Sequence, residues 1–161
     1  MSLASLAPAQ RFMYDYGCFA AFWSNFDLWM EAAICELAGR DPKENCALVN
    51  PKTSGGKQQM LKSLLEAAGR TDAAKCLVEV FEIAERNSWI HGHILNPNGD
   101  FSRLTRLRVE KSENGVKVTN SVVSFDISPF AGFYRAFQAF ENASGITKEH
   151  VDNYLRRILQ P

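Results

Sequence analysis

The sequence predicts a mainly α fold: a helical bundle with long antiparallel helices and a small β-hairpin insertion. The strongest of three observations is that apolar residues recur at helical spacing through most of the chain. Strand-like residues occur only at about 101–125, where they flank an Asn-Gly pair typical of hairpin turns. The length of 161 residues suits a single domain, so residues 1–161 are assigned to one helical domain.

The first helix is predicted from about Pro8 to Ala38, where aromatic and aliphatic residues recur at spacings of three, four and seven. Pro8 suits the first turn of a helix, and Gly39 suits its end. The apolar stripe is wider than one neighbour requires, because Tyr14 and Trp23 are among the apolar residues outside it. The pattern fits two arrangements equally: a helix central to one bundle, or a helix that also packs against a second copy of the chain.

Two more helices are predicted after a connector at 41–57 that is rich in Pro, Asn, Lys and Gly. The second helix is expected over about residues 57–68, and Gly69 suits its end. The third helix is expected to begin near Thr71, a suitable N-cap, and to continue to about His91, where glycine follows. The end of this third helix carries the residues that matter most for function.

The hairpin is predicted from two strands, 101–111 and 116–125, that are joined at Asn114-Gly115. We interpret it as an insertion on the helical bundle. Ser128-Pro129 then predicts the start of a fourth helix, whose aromatic stripe is assigned to the core, and Thr147 predicts the start of a fifth.

The charge balance limits the kinds of partner. Lys plus Arg and Asp plus Glu number 18 each, so the formal net charge is zero. A neutral chain has no overall attraction to nucleic acid, so an RNA partner must be bound by a local basic patch. Arg103, Arg106 and Arg108 of the first strand are candidate RNA contacts. A solvated strand face is an equally good interpretation, because Glu110 and Glu113 interleave with them.

The chain is expected to be cytoplasmic, with no membrane partner. Acidic residues interrupt its most apolar stretch, 12–37, and this excludes an ordinary transmembrane helix. The N-terminus lacks the basic and apolar regions of a signal peptide. The cysteines form no Cys-x-x-Cys pair and lie in mostly apolar neighbourhoods, as is typical of reduced thiols: Cys18, Cys35, Cys46 and Cys76.

The candidate catalytic residues lie in the run Arg86-Asn87-Ser88-Trp89-Ile90-His91. An arginine can bind a phosphate through two parallel hydrogen bonds and stabilise the charge that develops on its oxygens. A histidine can transfer a proton near neutral pH. RNA supplies its own nucleophile, the 2′-hydroxyl, so Arg86 and His91 together suit phosphodiester cleavage without a metal or a catalytic serine.

Neighbouring residues are candidates for supporting roles. Asn87 lies one helical turn before His91 and could orient the imidazole, while Glu82 and Glu85 could pair with or tune Arg86. Trp89 could stack on a base, although a buried core tryptophan is the simpler interpretation. In the alternative, purely structural interpretation, Arg86 pairs with Glu82, and Asn87 and His91 cap the helix.

The pattern Arg-Asn-x-x-x-His-Gly at 86–92 resembles the signature of the HEPN superfamily. The resemblance implies a helical bundle, usually dimeric, that in many members is a metal-independent ribonuclease of toxin–antitoxin or phage-defence systems. It implies a catalytic pair formed by Arg86 and His91, with Asn87 as the polar residue after the arginine. His93 also satisfies the spacing, and the glycine after His91 favours His91.

The predicted function is therefore that of a metal-independent endoribonuclease. The chain is expected to form a homodimer, to use no cofactor, and to have RNA and an antitoxin or operon-encoded protein as partners. The alternative is a non-catalytic HEPN-like module that dimerises or binds a protein or nucleotide. A metal site at His91 and His93 is a weaker hypothesis, because no Cys or carboxylate cluster at ligand spacing accompanies them.

Overall fold

The computed structural model describes residues 7–85, 93–95, 103–112, 115–124 and 130–160. These residues are mainly helical, as the sequence predicts. The elements, in chain order, are α1 (Pro8–Ala38), α2 (Pro42–Val49), α3 (Ser54–Ala67), α4 (Thr71–Ala84), β1 (His93–Leu95), β2 (Arg103–Ser112), β3 (Gly115–Ser124), α5 (Ala131–Ser144) and α6 (Lys148–Leu159). The chain divides into two compact units: unit 1 is Met1–Ala21 with Ile83–Phe133, and unit 2 is Phe22–Glu82 with Tyr134–Pro161.

Helix α1 has the bounds that the sequence predicts, from Pro8 to Ala38. Gly39 ends it with a φ of +60°, a left-handed conformation that glycine adopts without steric cost. The Gly39 N–H donates to the Glu36 carbonyl and the Arg40 N–H donates to the Cys35 carbonyl, each at 3.2 Å. These two bonds satisfy carbonyls that have no partner within the helix itself.

The predicted connector at 41–57 is wrong, because it contains a helix and the start of another. Helix α2 begins directly after Asp41, whose carboxylate accepts hydrogen bonds from the Lys43 and Glu44 amides. Pro42 takes the first helical position, where its missing N–H costs nothing. Helix α3 begins at Ser54 rather than near Lys57, because the Thr53 hydroxyl accepts from the Gly56 amide at 3.2 Å.

The third predicted helix, α4, begins at Thr71 as expected but ends at Ala84, seven residues before the predicted end at His91. The physical reason is the backbone of Glu85, whose φ of +41° lies outside the right-handed helical region. Helix α4 therefore ends two residues before Arg86 in the sequence.

Unit 1 contains a three-stranded antiparallel sheet in the order β1-β2-β3. The β2–β3 register pairs Arg103 with Ser124 at one end and Ser112 with Gly115 at the other, so Gly115 belongs to β3 rather than to the turn. The short strand β1, which the sequence did not predict, pairs His93 with Leu107. Nothing in the described contacts supports the further prediction that the two long strands are an insertion on the helical bundle.

Aromatic rings fill the interior of each unit. In unit 1, Phe19 stacks on Phe130 with ring centroids 4.5 Å apart and meets Phe133 edge-on at 5.3 Å. In unit 2, Phe26 contacts Phe137 at 5.4 Å, and Trp29 contacts Phe140 at 5.0 Å. Edge-on and offset contacts of this kind suit the quadrupoles of aromatic rings.

The aromatic stripe of α5 was predicted to be core, and the buried side chains of Phe133 and Phe140 confirm this. Within the described residues, no helix combines the length and the apolar character that crossing a membrane requires.

Candidate functional site

The predicted catalytic residues Arg86, Asn87 and His91 lie outside the described residues, as does Trp89. Glu85, which immediately precedes them, is exposed and has the left-handed backbone that ends α4. The structure therefore shows where α4 ends, and the roles of Arg86, Asn87, Trp89 and His91 remain predictions.

The remaining predicted site residues fall on α4 and on the sheet. Glu82 is an exposed residue in the last turn of α4, and His93 is the first residue of β1. The three arginines of β2 stand opposite hydroxyl residues of β3: Arg103 pairs with Ser124, Arg106 with Ser121 and Arg108 with Thr119. Among the residues that the structure describes, no group of three His, Cys, Asp or Glu side chains is placed to hold a metal ion.

Unit 2 contains a buried group of charges that we call the ion cluster: Asp27 and Glu31 of α1 with Lys57 of α3. The Lys57 ammonium lies 2.8 Å from Asp27 Oδ2 and 2.7 Å from Glu31 Oε1. The side chains of Lys57 and Glu31 are only 3% and 4% exposed. Burying charges this deeply is tolerated only where they are paired and hydrogen-bonded, so the cluster fixes the first turn of α3 against α1.

Three polar side chains hold Glu31 from the other elements of unit 2. Asn50 donates to Glu31 Oε1 at 3.2 Å, and the Tyr154 hydroxyl of α6 donates to Glu31 Oε2 at 3.5 Å. Asn45, which is fully buried in α2, donates to the Glu31 backbone carbonyl at 3.1 Å. Helices α2, α3 and α6 thus meet α1 at one residue, Glu31.

The pKa values in this region agree with a structural role. Burial by itself lowers the pKa of Lys57, but its hydrogen bonds to Asp27 and Glu31 outweigh burial and raise the pKa above its ordinary value. Burial raises the pKa of the Tyr154 phenol, and the nearby Glu31 carboxylate adds to the increase. Lys57 thus stays an ammonium and Tyr154 a neutral phenol, so neither acts as a base near neutral pH.

A pocket of about 500 Å³ lies on the other side of Tyr154, between the end of α1, the start of α2 and α6; we call it the α1–α6 pocket. Its size is within the range of small-molecule sites. Its buried floor consists of Ala32, Cys35 and Tyr154, which pack together. The remaining lining residues are Glu36, Gly39, Arg40, Asp41, Pro42, His150, Asn153 and Arg157.

The pocket contains a thiol that is not poised for nucleophilic chemistry. Burial is the main cause of the raised pKa of Cys35, so the group remains a thiol rather than a thiolate. Its Sγ donates a hydrogen bond to the Arg40 carbonyl at 3.3 Å. Cys35 is therefore part of the floor and fixes the backbone of the α1–α2 connection.

Two polar residues on the rim are held in place by neighbours. The Thr147 amide donates to His150 Nδ1 at 3.1 Å, so in the neutral ring the proton is on Nε2. Arg157 Nη2 lies 3.3 Å from Asp41 Oδ2, while Asp41 Oδ1 accepts from the Lys43 amide at 2.9 Å. Both Asp41 oxygens are thus occupied, and His150 and Arg157 remain hydrogen-bond donors on the rim.

Sequence reasoning overlooked both of these regions. Asp27 and Glu31 are among the acidic residues that exclude a transmembrane helix at 12–37. Because they lie one helical turn apart in an apolar stretch, they also indicate a buried cation nearby. For the pocket, the available signal was Asp41-Pro42, which is typical of a helix start. No local signal connects either pattern with α6.

Comparisons with known proteins add no family assignment. No family model, no curated protein and no solved structure matches this chain. The resemblance of residues 86–92 to the HEPN signature therefore rests on the sequence.

Proposed function

We propose that this chain is a metal-independent endoribonuclease of the HEPN type that acts as a homodimer. The observation that carries the proposal is the sequence Arg86-Asn87-x-x-x-His91-Gly92, which begins two residues after the end of α4. The mainly helical structure agrees with such a fold.

The proposed chemistry needs only an arginine, a histidine and the substrate. His91 takes the proton of the RNA 2′-hydroxyl, whose oxygen attacks the adjacent phosphorus while the bond to the 5′-oxygen breaks. Arg86 stabilises the charge on the phosphoryl oxygens, and the leaving 5′-oxygen receives a proton from an imidazolium or from water. The products are a 2′,3′-cyclic phosphate and a 5′-hydroxyl end.

A dimer would place two copies of this short motif in one cleft. Surface apolar residues of α1 support such an assembly, because the side chains of Met13 and Tyr14 are 62% and 49% exposed. A twofold axis beside the segment after α4 would bring together two arginines and two histidines. A chain of zero net charge could then bind RNA through a positive potential that exists only in the dimer.

The proposal is tested with purified protein and single-stranded RNA in excess chelator. Wild-type protein is expected to cleave, whereas His91→Ala and Arg86→Ala abolish cleavage without loss of folding. Arg156→Ala is the matched control, because Arg156 is an exposed arginine on α6 that is remote in sequence from the motif. His93→Ala decides between the two histidines, since it should retain activity if His91 transfers the proton.

A role in toxin–antitoxin or phage-defence systems, with an antitoxin or operon-encoded partner, belongs to the same proposal. The second candidate is a non-catalytic module that dimerises or binds a protein or nucleotide. The exposed Met13 and Tyr14 side chains favour it as much as they favour a dimeric enzyme. Light scattering at twice 18.0 kDa, together with no cleavage of varied RNAs, would favour this second function.

A further inference from the structure

We propose that the α1–α6 pocket binds a small phosphate monoester, whose phosphate contacts Arg40 and Arg157 and whose apolar part lies on the floor formed by Ala32, Cys35 and Tyr154. The proposal goes beyond RNA cleavage, because no lining residue of this pocket belongs to segment 86–93. It would hold for a catalytic and for a non-catalytic chain alike.

The shape of the pocket suits a ligand with one polar and one apolar end. A volume of about 500 Å³ accommodates a molecule of nucleotide size. The buried floor is apolar on the pocket side, because the Tyr154 hydroxyl donates to Glu31 Oε2 and the Cys35 thiol donates to the Arg40 carbonyl. The floor can thus bury an apolar surface without leaving its own polar atoms unpaired.

The rim has more hydrogen-bond donors than acceptors available to a ligand. The charges of Arg40 and Arg157 are formally balanced by those of Glu36 and Asp41. The Asp41 carboxylate, however, already accepts from the Lys43 amide and from Arg157 Nη2, so it has little capacity left for a ligand. Glu36 remains as the one lining carboxylate with no hydrogen-bond or ion-pair partner among the described side chains.

Three donors remain on the rim for an oxyanion. The Arg40 guanidinium makes no hydrogen bond or ion pair with any residue that the structure describes. Arg157 uses Nη2 toward Asp41 and retains its other N–H groups, and its side chain is 60% exposed. The His150 ring can donate from Nε2, because its Nδ1 accepts from the Thr147 amide. Two guanidinium groups and an N–H match the dianionic charge of a phosphate monoester better than the single charge of a carboxylate.

Calorimetric titration of the full chain with adenosine 5′-monophosphate tests the proposal, with adenosine as the ligand control. We expect the monophosphate to bind, adenosine to show no binding up to about 10 mM, and inorganic phosphate to compete with the monophosphate. Arg40→Gln and Arg157→Gln are each expected to weaken binding by about tenfold or more, because each removes a charge-assisted contact.

Arg156→Gln is the matched variant, since Arg156 is an exposed neighbour on α6 that does not line the pocket, and its affinity should equal that of the wild type. His91→Ala should also bind normally, so that loss of RNA cleavage and loss of this site are told apart. Thermal unfolding of each variant confirms that the fold is retained. No binding of the monophosphate, equal binding of adenosine, or an affinity unchanged in both Arg40→Gln and Arg157→Gln would overturn the proposal.

Discussion

The ion cluster and the Asp41–Arg157 pair both join opposite charges within unit 2, but they differ in burial. Lys57 and Glu31 are 3% and 4% exposed, whereas Arg157 and Asp41 are 60% and 50% exposed. In the buried case each charge depends on its partner, because water cannot replace it. In the exposed case water and salt compete with the pair, which leaves Arg157 free to contact a ligand.

The ion cluster and the polar rim of the α1–α6 pocket therefore have separate roles, although Tyr154 belongs to the surroundings of both. Its hydroxyl contacts Glu31 of the ion cluster, and the residue also lines the pocket. Damage to the ion cluster should therefore reduce stability strongly, while removal of the exposed rim donors Arg40 and Arg157 should leave stability nearly unchanged.

The largest expected effect is that of Lys57→Ala. Removing the ammonium leaves Asp27 and Glu31 without their cation, and we expect a loss of about 3–5 kcal/mol in the free energy of unfolding. Lys62→Ala on the same helix is the control, because Lys62 forms only a half-exposed pair with Glu66 and its loss should cost less than about 1 kcal/mol. Urea denaturation of both variants measures the difference, and equal losses would contradict the contrast between buried and exposed pairs.

A smaller effect is expected from Asp41→Ala. This change removes both the cap of α2 and the exposed pair with Arg157, and capping alone contributes about 1 kcal/mol. Asp41→Asn keeps an oxygen for the cap but loses the charge, so it should recover most of the stability. If Asp41→Asn were as unstable as Asp41→Ala, the ion pair and not the cap would be the dominant contribution.

The smallest expected effect concerns alkaline pH. Burial raises the pKa of Tyr154 above its ordinary value of 10.0, so the folded state retains the phenol proton longer than the unfolded state. Its contribution to stability is complete below about pH 10 and is lost as the pH rises toward the folded-state pKa. The free energy of unfolding should thus fall more steeply above pH 10 for the wild type than for Tyr154→Phe, as denaturation at several pH values would measure. Parallel curves would show that Tyr154 is not desolvated.

The sequence predicted α1 and the start of α4 correctly, because a long apolar period and terminal Pro, Gly or Thr signals agree there. It missed α2 because a helix of eight residues is too short to show a clear apolar period. It extended α4 too far because glutamate is a good helix former, and nothing in the residue type marks Glu85 as left-handed.

The catalytic motif and the ion cluster also differ in how well the sequence predicts them. Residue types alone point to phosphodiester chemistry at Arg86 and His91, because few other side chains combine phosphate binding with proton transfer at neutral pH. The ion cluster could not be located, since Lys57 is 26 residues from Glu31 and Tyr154 is 123 residues from it. Pairings at such separations follow from the packing of helices and leave no local signal.

The central claim, that this chain cleaves RNA through Arg86 and His91, is tested most directly by the ends of the RNA products. Single-stranded RNA incubated with the protein in excess chelator should yield 2′,3′-cyclic phosphate and 5′-hydroxyl ends, and His91→Ala should yield none. Cleavage that requires a divalent metal, that leaves 5′-phosphate ends, or that persists in His91→Ala would contradict the claim.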